Sequence, residues 1–118
     1  MHISSHRDLV VWHKAMSLAE QIYRLTSAFS RHELYGLTSH MTRAAVSVPA
    51  NISEGYYRST REYLHFLSIA KGSVIKVETL LLIAVRLNYL READVQPVCD
   101  LVVEISKMLT AIHTKLSG

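Results

Sequence analysis

From Arg43 to Gly55 the chain reads Arg-Ala-Ala-Val-Ser-Val-Pro-Ala-Asn-Ile-Ser-Glu-Gly, and its apolar residues keep helical spacing straight through Pro49. A proline inside a helix removes one backbone hydrogen bond, and its ring presses on the carbonyl four residues back. Few segments tolerate that, so the stretch constrains the fold sharply. Because Val48 and Ile52 stay in phase on either side, the spacing predicts one helix from about Arg31 to Tyr57. It should bend near Pro49 rather than break. The Ala45 carbonyl loses its usual donor there, and Asn51 or a nearby serine is expected to help satisfy the local backbone.

The same period recurs along the rest of the chain. Asp8 is expected to cap a first helix with a core line of Leu9, Trp12, Met16, Ala19 and Tyr23. Ser30 and Glu33 have capping-box spacing before the second helix, whose inward line runs Leu34, Leu37, Met41, Ala45, Val48, Ile52 and Gly55. Ser59 and Glu62 repeat that box before a third helix lined by Tyr63, Leu67, Ala70, Val74, Val77, Leu81 and Ala84. Asn88 tolerates the left-handed backbone that commonly ends a helix. Asp94 is expected to cap a fourth helix with Pro97 in its first turn, lined by Val95, Val98, Val102, Ile105, Leu109, Ile112 and Leu116. Short connections between long helices predict an all-α, up-down antiparallel four-helix bundle with a kinked second helix.

One core serves about 100–150 residues, so the 118 residues are read as a single domain spanning 1–118. The chain is 49% hydrophobic and 19% charged, which excludes a disordered chain. Cys99 is the single cysteine and forms no internal disulfide, which fits a reducing compartment. The start of the sequence lacks the continuous apolar stretch of a secretory signal. The longest apolar run, Leu80 to Val85, is far shorter than the ~20 residues of a membrane span. A cytoplasmic location without membrane association is expected.

The third helix carries more apolar surface than one core uses. Ile75, Leu82, Ile83 and Val85 lie off its inward line, and Gly72 interrupts an otherwise good helix-forming stretch. Surplus apolar faces signal burial against a partner; the alternative is that the short connection to the fourth helix already covers these side chains. Gly72, Ile75 and Leu82 are therefore candidate oligomer-interface residues.

Catalytic and metal chemistry find little support. A di-iron bundle needs two Glu-x-x-His motifs plus further inward carboxylates, and Glu62 to His65 is a lone copy lying off the core line. His2 and His6 lack further ligands for a structural zinc site. Cys99 reads as a buried, inert thiol. No nucleophile elbow, phosphate-binding glycine loop or zincin pattern occurs. No cofactor is expected, and the chain reads as a non-enzyme.

A basic, aromatic corner remains. Tyr56-Tyr57-Arg58-Ser59-Thr60-Arg61 joins the second and third helices, and Arg43 lies farther along the second. Arginine grips phosphate through paired hydrogen bonds, and tyrosine stacks on unpaired bases. Arg43, Arg58, Arg61, Tyr56 and Tyr57 are candidates for binding RNA or single-stranded DNA. The alternative is that Glu54 and Arg58, four apart in the favourable order, simply pair on the surface. Arginine and tyrosine also suit a protein interface.

In several separated motifs the chain resembles a bacterial four-helix-bundle family encoded within intervening sequences of large-subunit ribosomal RNA genes. These are Asp8-Leu9-Val10-Val11-Trp12-His13-Lys14-Ala15, Glu33-Leu34-Tyr35-Gly36-Leu37, Ser47-Val48-Pro49-Ala50-Asn51-Ile52-Ser53-Glu54-Gly55, and Phe66-Leu67-Ser68-Ile69-Ala70-Lys71-Gly72-Ser73 with Glu78. Ser30, His40 and Lys76 depart from the pattern, and Lys76 reverses a usual acidic charge. The resemblance implies a homopentamer, in which five copies of a +3 chain carry +15. A related branch comprises the accessory proteins of diversity-generating retroelements, which work with a reverse transcriptase and bind nucleic acid. The expected function is a non-enzymatic oligomer that binds RNA or other nucleic acid through a basic surface. The alternative is a scaffold or accessory subunit that meets a reverse transcriptase or other protein and makes no nucleic-acid contact.

Overall fold

The computed structural model of the chain describes residues 5–118. Four helices account for most of it: α1 (Val10–Thr26), α2 (Leu37–Tyr56), α3 (Thr60–Arg86) and α4 (Glu92–Ser117). Among the described residues, α1 packs on α2 and α4, and α3 packs on α2 and α4, with no direct packing across either diagonal. With short links between successive helices, that is an up-down four-helix bundle. Its long dimension is 43 Å, close to the ~40 Å that the 27 residues of α3 occupy at helical rise.

The core follows the predicted lines in three helices, except at Leu34 and Leu116, the outermost positions of two of them, which are exposed. Met41, Ala45, Val48 and Ile52 from α2 meet Leu67, Ala70, Val74, Val77 and Leu81 from α3. Val95, Val98, Val102, Ile105 and Leu109 close it from α4. Helix α1 is rotated by one residue from the expected register. It buries Val11, Ala15, Leu18 and Ile22, while Met16 and Tyr23 are exposed and Trp12 lies at the core margin. Both stripes have the same spacing and stand about 100° apart. The purely aliphatic stripe takes the interior, whereas Tyr23 keeps its hydroxyl end wet.

Helix α2 continues unbroken through Pro49, which is itself buried. Asn51 Nδ2 donates to the Ser47 carbonyl at 2.7 Å and to Ser47 Oγ at 2.9 Å. The expected compensation therefore comes from Asn51, but at Ser47 rather than at Ala45. Gly55 is buried where α2 crosses the start of α3. A Cβ there would lie 2.6 Å from Phe66 Cβ.

The helix starts differ from the sequence reading in three places. Arg31–Glu33 forms a separate 3-10 turn, and α2 begins only at Leu37. Ser30 Oγ engages the His32 ring instead of the backbone. Glu33 works forward: its Oε1 accepts from the Leu37 N–H at 3.3 Å, and its Oε2 accepts from the Tyr89 hydroxyl at 2.6 Å. Asp8 closes a capping box on a 3-10 turn, His6–Asp8, with Ser5 as the cap, and Leu9 is the N-cap of α1. Helix α4 starts after Arg91, so Asp94 lies within its first turn and accepts from Arg91 Nε at 3.0 Å. From there the carboxylate still favours the positive end of the helix dipole. Pro97 accordingly sits inside the helix, not in its first turn. Ser59 caps α3 as expected, accepting from the Glu62 N–H at 3.3 Å. Asn88 has φ 63°, the left-handed value that ends α3.

Candidate nucleic-acid interface

The Tyr56–Arg61 corner lies at one end of the bundle, where α2 turns into α3. Arg58 holds that turn closed. Its Nη2 is 2.5 Å from Glu54 Oε1 and its Nη1 is 3.4 Å from Glu62 Oε2. The guanidinium also stands over the Phe66 ring, 5.1 Å from the centroid. The Glu54 hydrogen bond is the main reason the Arg58 guanidinium is held above its ordinary pKa. Glu62 is held below the ordinary carboxylate value, chiefly by the Ser59 hydroxyl, which donates to Oε1 at 2.9 Å. Arg58 is thus flanked by two carboxylates, and this trio carries no positive charge outward.

Arg61 and Arg43 differ from it. Both are exposed, and neither has an acidic partner among the described residues. Arg61 occupies the first turn of α3 beside Arg58. Arg43 lies 15 residues back along α2, ~22 Å at helical rise, so it stands apart from the corner within one subunit.

The tyrosines form an edge-to-face series. Tyr56 and Tyr57 have ring centroids 5.0 Å apart, and Tyr56 and Tyr63 6.0 Å apart. Tyr63 is half-buried, and burial foremost pushes its hydroxyl pKa upward, with Tyr56 adding to it. Tyr57 is exposed, yet its hydroxyl is engaged by the N-terminal turn. It accepts from the His6 backbone N–H at 3.3 Å and lies 2.8 Å from His6 Nδ1. The His6 ring in turn packs edge-on to Trp12 at 5.0 Å. His6 therefore serves this clasp, while His2 lies outside the described residues. Among the described residues no three His, Cys, Asp or Glu side chains are grouped as a metal site requires.

Charge is divided unevenly along the bundle. Lys14 and Glu104 pair across α1 and α4 at 2.6 Å near mid-length. Apart from them, the half containing the α2–α3 turn holds six basic side chains: Arg7, Arg58, Arg61, Lys71, Lys107 and Lys115. Three acids, Asp8, Glu54 and Glu62, share that half, whereas the opposite half holds six bases and six acids. The half containing the α2–α3 turn is therefore the more basic one. Sequence order obscures this, because the contributing residues come from both chain ends and the middle.

The interface candidates are all solvent-facing. Ile75 and Leu82 are exposed, and a Cβ on Gly72 would meet nothing within 4 Å. A second apolar surface was not anticipated from the sequence. Between the end of α1 and the start of α2, Tyr23, Phe29, Leu34 and Tyr35 line a groove of about 650 Å³, with Tyr35 89% exposed. Leu34, placed on the inward line by its spacing, is turned outward by the late start of α2. Cys99 is half-buried against the core, and burial is the main reason its thiol pKa is raised, with Glu78 and Asp100 contributing. No helix among the described residues is long and apolar enough to cross a membrane.

None of the curated proteins matches the chain. Among solved structures, a protein of unknown function from the S23 ribosomal protein family of Bacteroides thetaiotaomicron has the same fold. It superposes with a TM-score of 0.78 at 23% identity, covering 88% of this chain and 98% of the other. The model of the 23S rRNA-intervening sequence protein family matches residues 7–111, nearly the whole of the described bundle, and the chain belongs to that family.

Proposed function

We propose that the protein is a non-enzymatic, cytoplasmic homo-oligomer that binds RNA or single-stranded DNA through the basic end of its bundle. The observation that carries this reading is the excess of basic over acidic side chains in the half containing the α2–α3 turn. Arg61 is the best-placed phosphate ligand there, and Tyr57 offers a ring for stacking. The family's name, which ties it to 23S rRNA, agrees with a nucleic-acid partner.

Assembly strengthens the argument. The α3 stripe of Gly72, Ile75 and Leu82 and the Tyr23–Tyr35 groove are two different exposed apolar surfaces. A two-fold dimer uses one patch twice, whereas a ring joins two unlike patches head to tail. A closed ring, with five members by family resemblance, gathers several basic ends on one object. Weak phosphate contacts then act as linked binding events.

The test is fluorescence anisotropy with a labelled single-stranded RNA over a range of salt. Affinity should fall steeply with salt, and reversal of Arg58 and Arg61 together to Glu should nearly abolish binding while the helical circular dichroism persists. A second reading rests on the same Tyr23–Tyr35 groove: a scaffold that holds a protein partner, such as a reverse transcriptase. Absence of RNA binding at low salt would favour it, because apolar contacts do not weaken with added salt.

A further inference from the structure

On the outer seam between α3 and α4, in the turn that precedes Gly72, a small pocket of about 180 Å³ opens to solvent. Leu67 and Leu109 contribute its apolar part, and both are buried core residues that do not move aside easily. Its polar lining is Ser68, Lys71, Thr110, His113 and Thr114. These come from two helices, 39 residues apart at the Lys71–Thr110 contact.

Lys71 is half-buried, and its Nζ donates to Thr110 Oγ1 at 2.5 Å. It has no carboxylate partner among the described residues. An ammonium has three protons, so two remain for another acceptor. His113, also half-buried, makes no hydrogen bond among the described residues, and its ring supplies an N–H donor in either protonation state. Lysine, imidazole and hydroxyl donors with no acid among them are the complement of an oxyanion.

We propose that this pocket is a binding site for a phosphate dianion, either inorganic phosphate or the terminal phosphate monoester of a nucleic-acid strand. Lys71 supplies the charge, His113 and Thr110 supply directed donors, and the Leu67–Leu109 wall limits the size. The partial negative charge at the end of α4 opposes an anion. Thr110 is seven residues before the last helical residue, however, and that field fades within the final turn. The pocket is distinct from the Arg61 corner, so its occupancy does not depend on single-strand binding by that corner.

The experiment is a 1H–15N titration of the full chain with sodium phosphate, matched in ionic strength against sodium chloride. Phosphate should shift the His113 ring and Thr110 amide signals saturably, and chloride should not. Lys71→Met should remove the saturable shift while leaving the other amides in place. A parallel arm compares a 5′-phosphorylated with an unphosphorylated short oligonucleotide. A shift at His113 only with the phosphorylated strand identifies the terminal monoester, and a shift only with free phosphate identifies the inorganic ion. Equal responses to phosphate and chloride together with equal responses to the two oligonucleotides, or a saturable shift that persists in Lys71→Met, would overturn the assignment. The Arg58→Glu/Arg61→Glu double variant should keep the phosphate response even though it loses RNA, which separates this site from the corner.

Discussion

The hydroxyls of Ser47 on α2 and Ser73 on α3 lie 2.8 Å apart, and Asn51 Nδ2 completes the set by donating to Ser47 Oγ. Both serines are half-buried in the seam between α2 and α3. Losing one hydroxyl leaves the other without its cross-helix partner. Ser47→Ala or Ser73→Ala should each cost about 1–2 kcal/mol. The double alanine variant should cost less than their sum, because no orphaned hydroxyl remains. Urea unfolding of the four proteins closes the cycle. Strict additivity would mean that the pair contributes no coupling.

Glu33 ties the two connections at the other end of the bundle, through the Tyr89 hydroxyl and the Leu37 N–H. The Tyr89 hydrogen bond is the largest cause of its lowered pKa, and the Leu37 N–H adds to it. A carboxyl lowered on folding stabilises the protein above its ordinary value. That contribution disappears as pH falls through the lowered, folded value. Glu33→Gln should therefore melt below the parent at neutral pH, and the gap should close on acidification below the ordinary glutamate range. A gap unchanged by pH would show that the carboxylate charge is irrelevant there.

Gly55 and Gly72 should respond oppositely to alanine. At Gly72 the added methyl meets open space in a helix interior, so the isolated subunit should gain about 1 kcal/mol. At Gly55 the methyl would press into Phe66 Cβ, at a cost of about 1–3 kcal/mol that outweighs any propensity gain. Light scattering adds a second reading. If neighbouring subunits approach closely at Gly72, Gly72→Ala weakens assembly even as the subunit grows more stable, and Gly72→Glu dissociates it. Unchanged assembly in Gly72→Glu would remove this face from the interface.

Where one periodic apolar stripe dominated, the sequence was sufficient. Leu67, Val74 and Leu81 on α3 have no competing line of equal quality at the inward face, and all three are buried. On α1 two stripes compete at the same spacing, and periodicity alone cannot choose between Leu18 and Ala19. Caps failed where a side chain had a stronger local partner: Ser30 turns to His32, and Asp94 to Arg91. Within the candidate site, the Glu54–Arg58 pair was legible as a local helical spacing. Its Phe66 backing, the His6 clasp on Tyr57 and the Lys71–Thr110 seam join distant positions, which no local pattern encodes.

The geometry at Arg58 separates two ways in which it can influence RNA. With Glu54 and Glu62 on either side, its role is to neutralise the corner and so leave Arg61 unopposed. Arg58→Gln frees two carboxylates beside the proposed phosphate path and should weaken binding about tenfold at low salt. Adding Glu54→Gln and Glu62→Gln to that variant removes the freed charges and should restore affinity to within about twofold of the parent, since the corner's net charge then exceeds that of the Arg58→Gln variant by two. Arg61→Glu should stay weak in either background. Anisotropy titrations of the parent and these variants decide the matter. If the triple glutamine variant binds no better than Arg58→Gln alone, Arg58 contacts phosphate directly through hydrogen bonds that glutamine cannot replace.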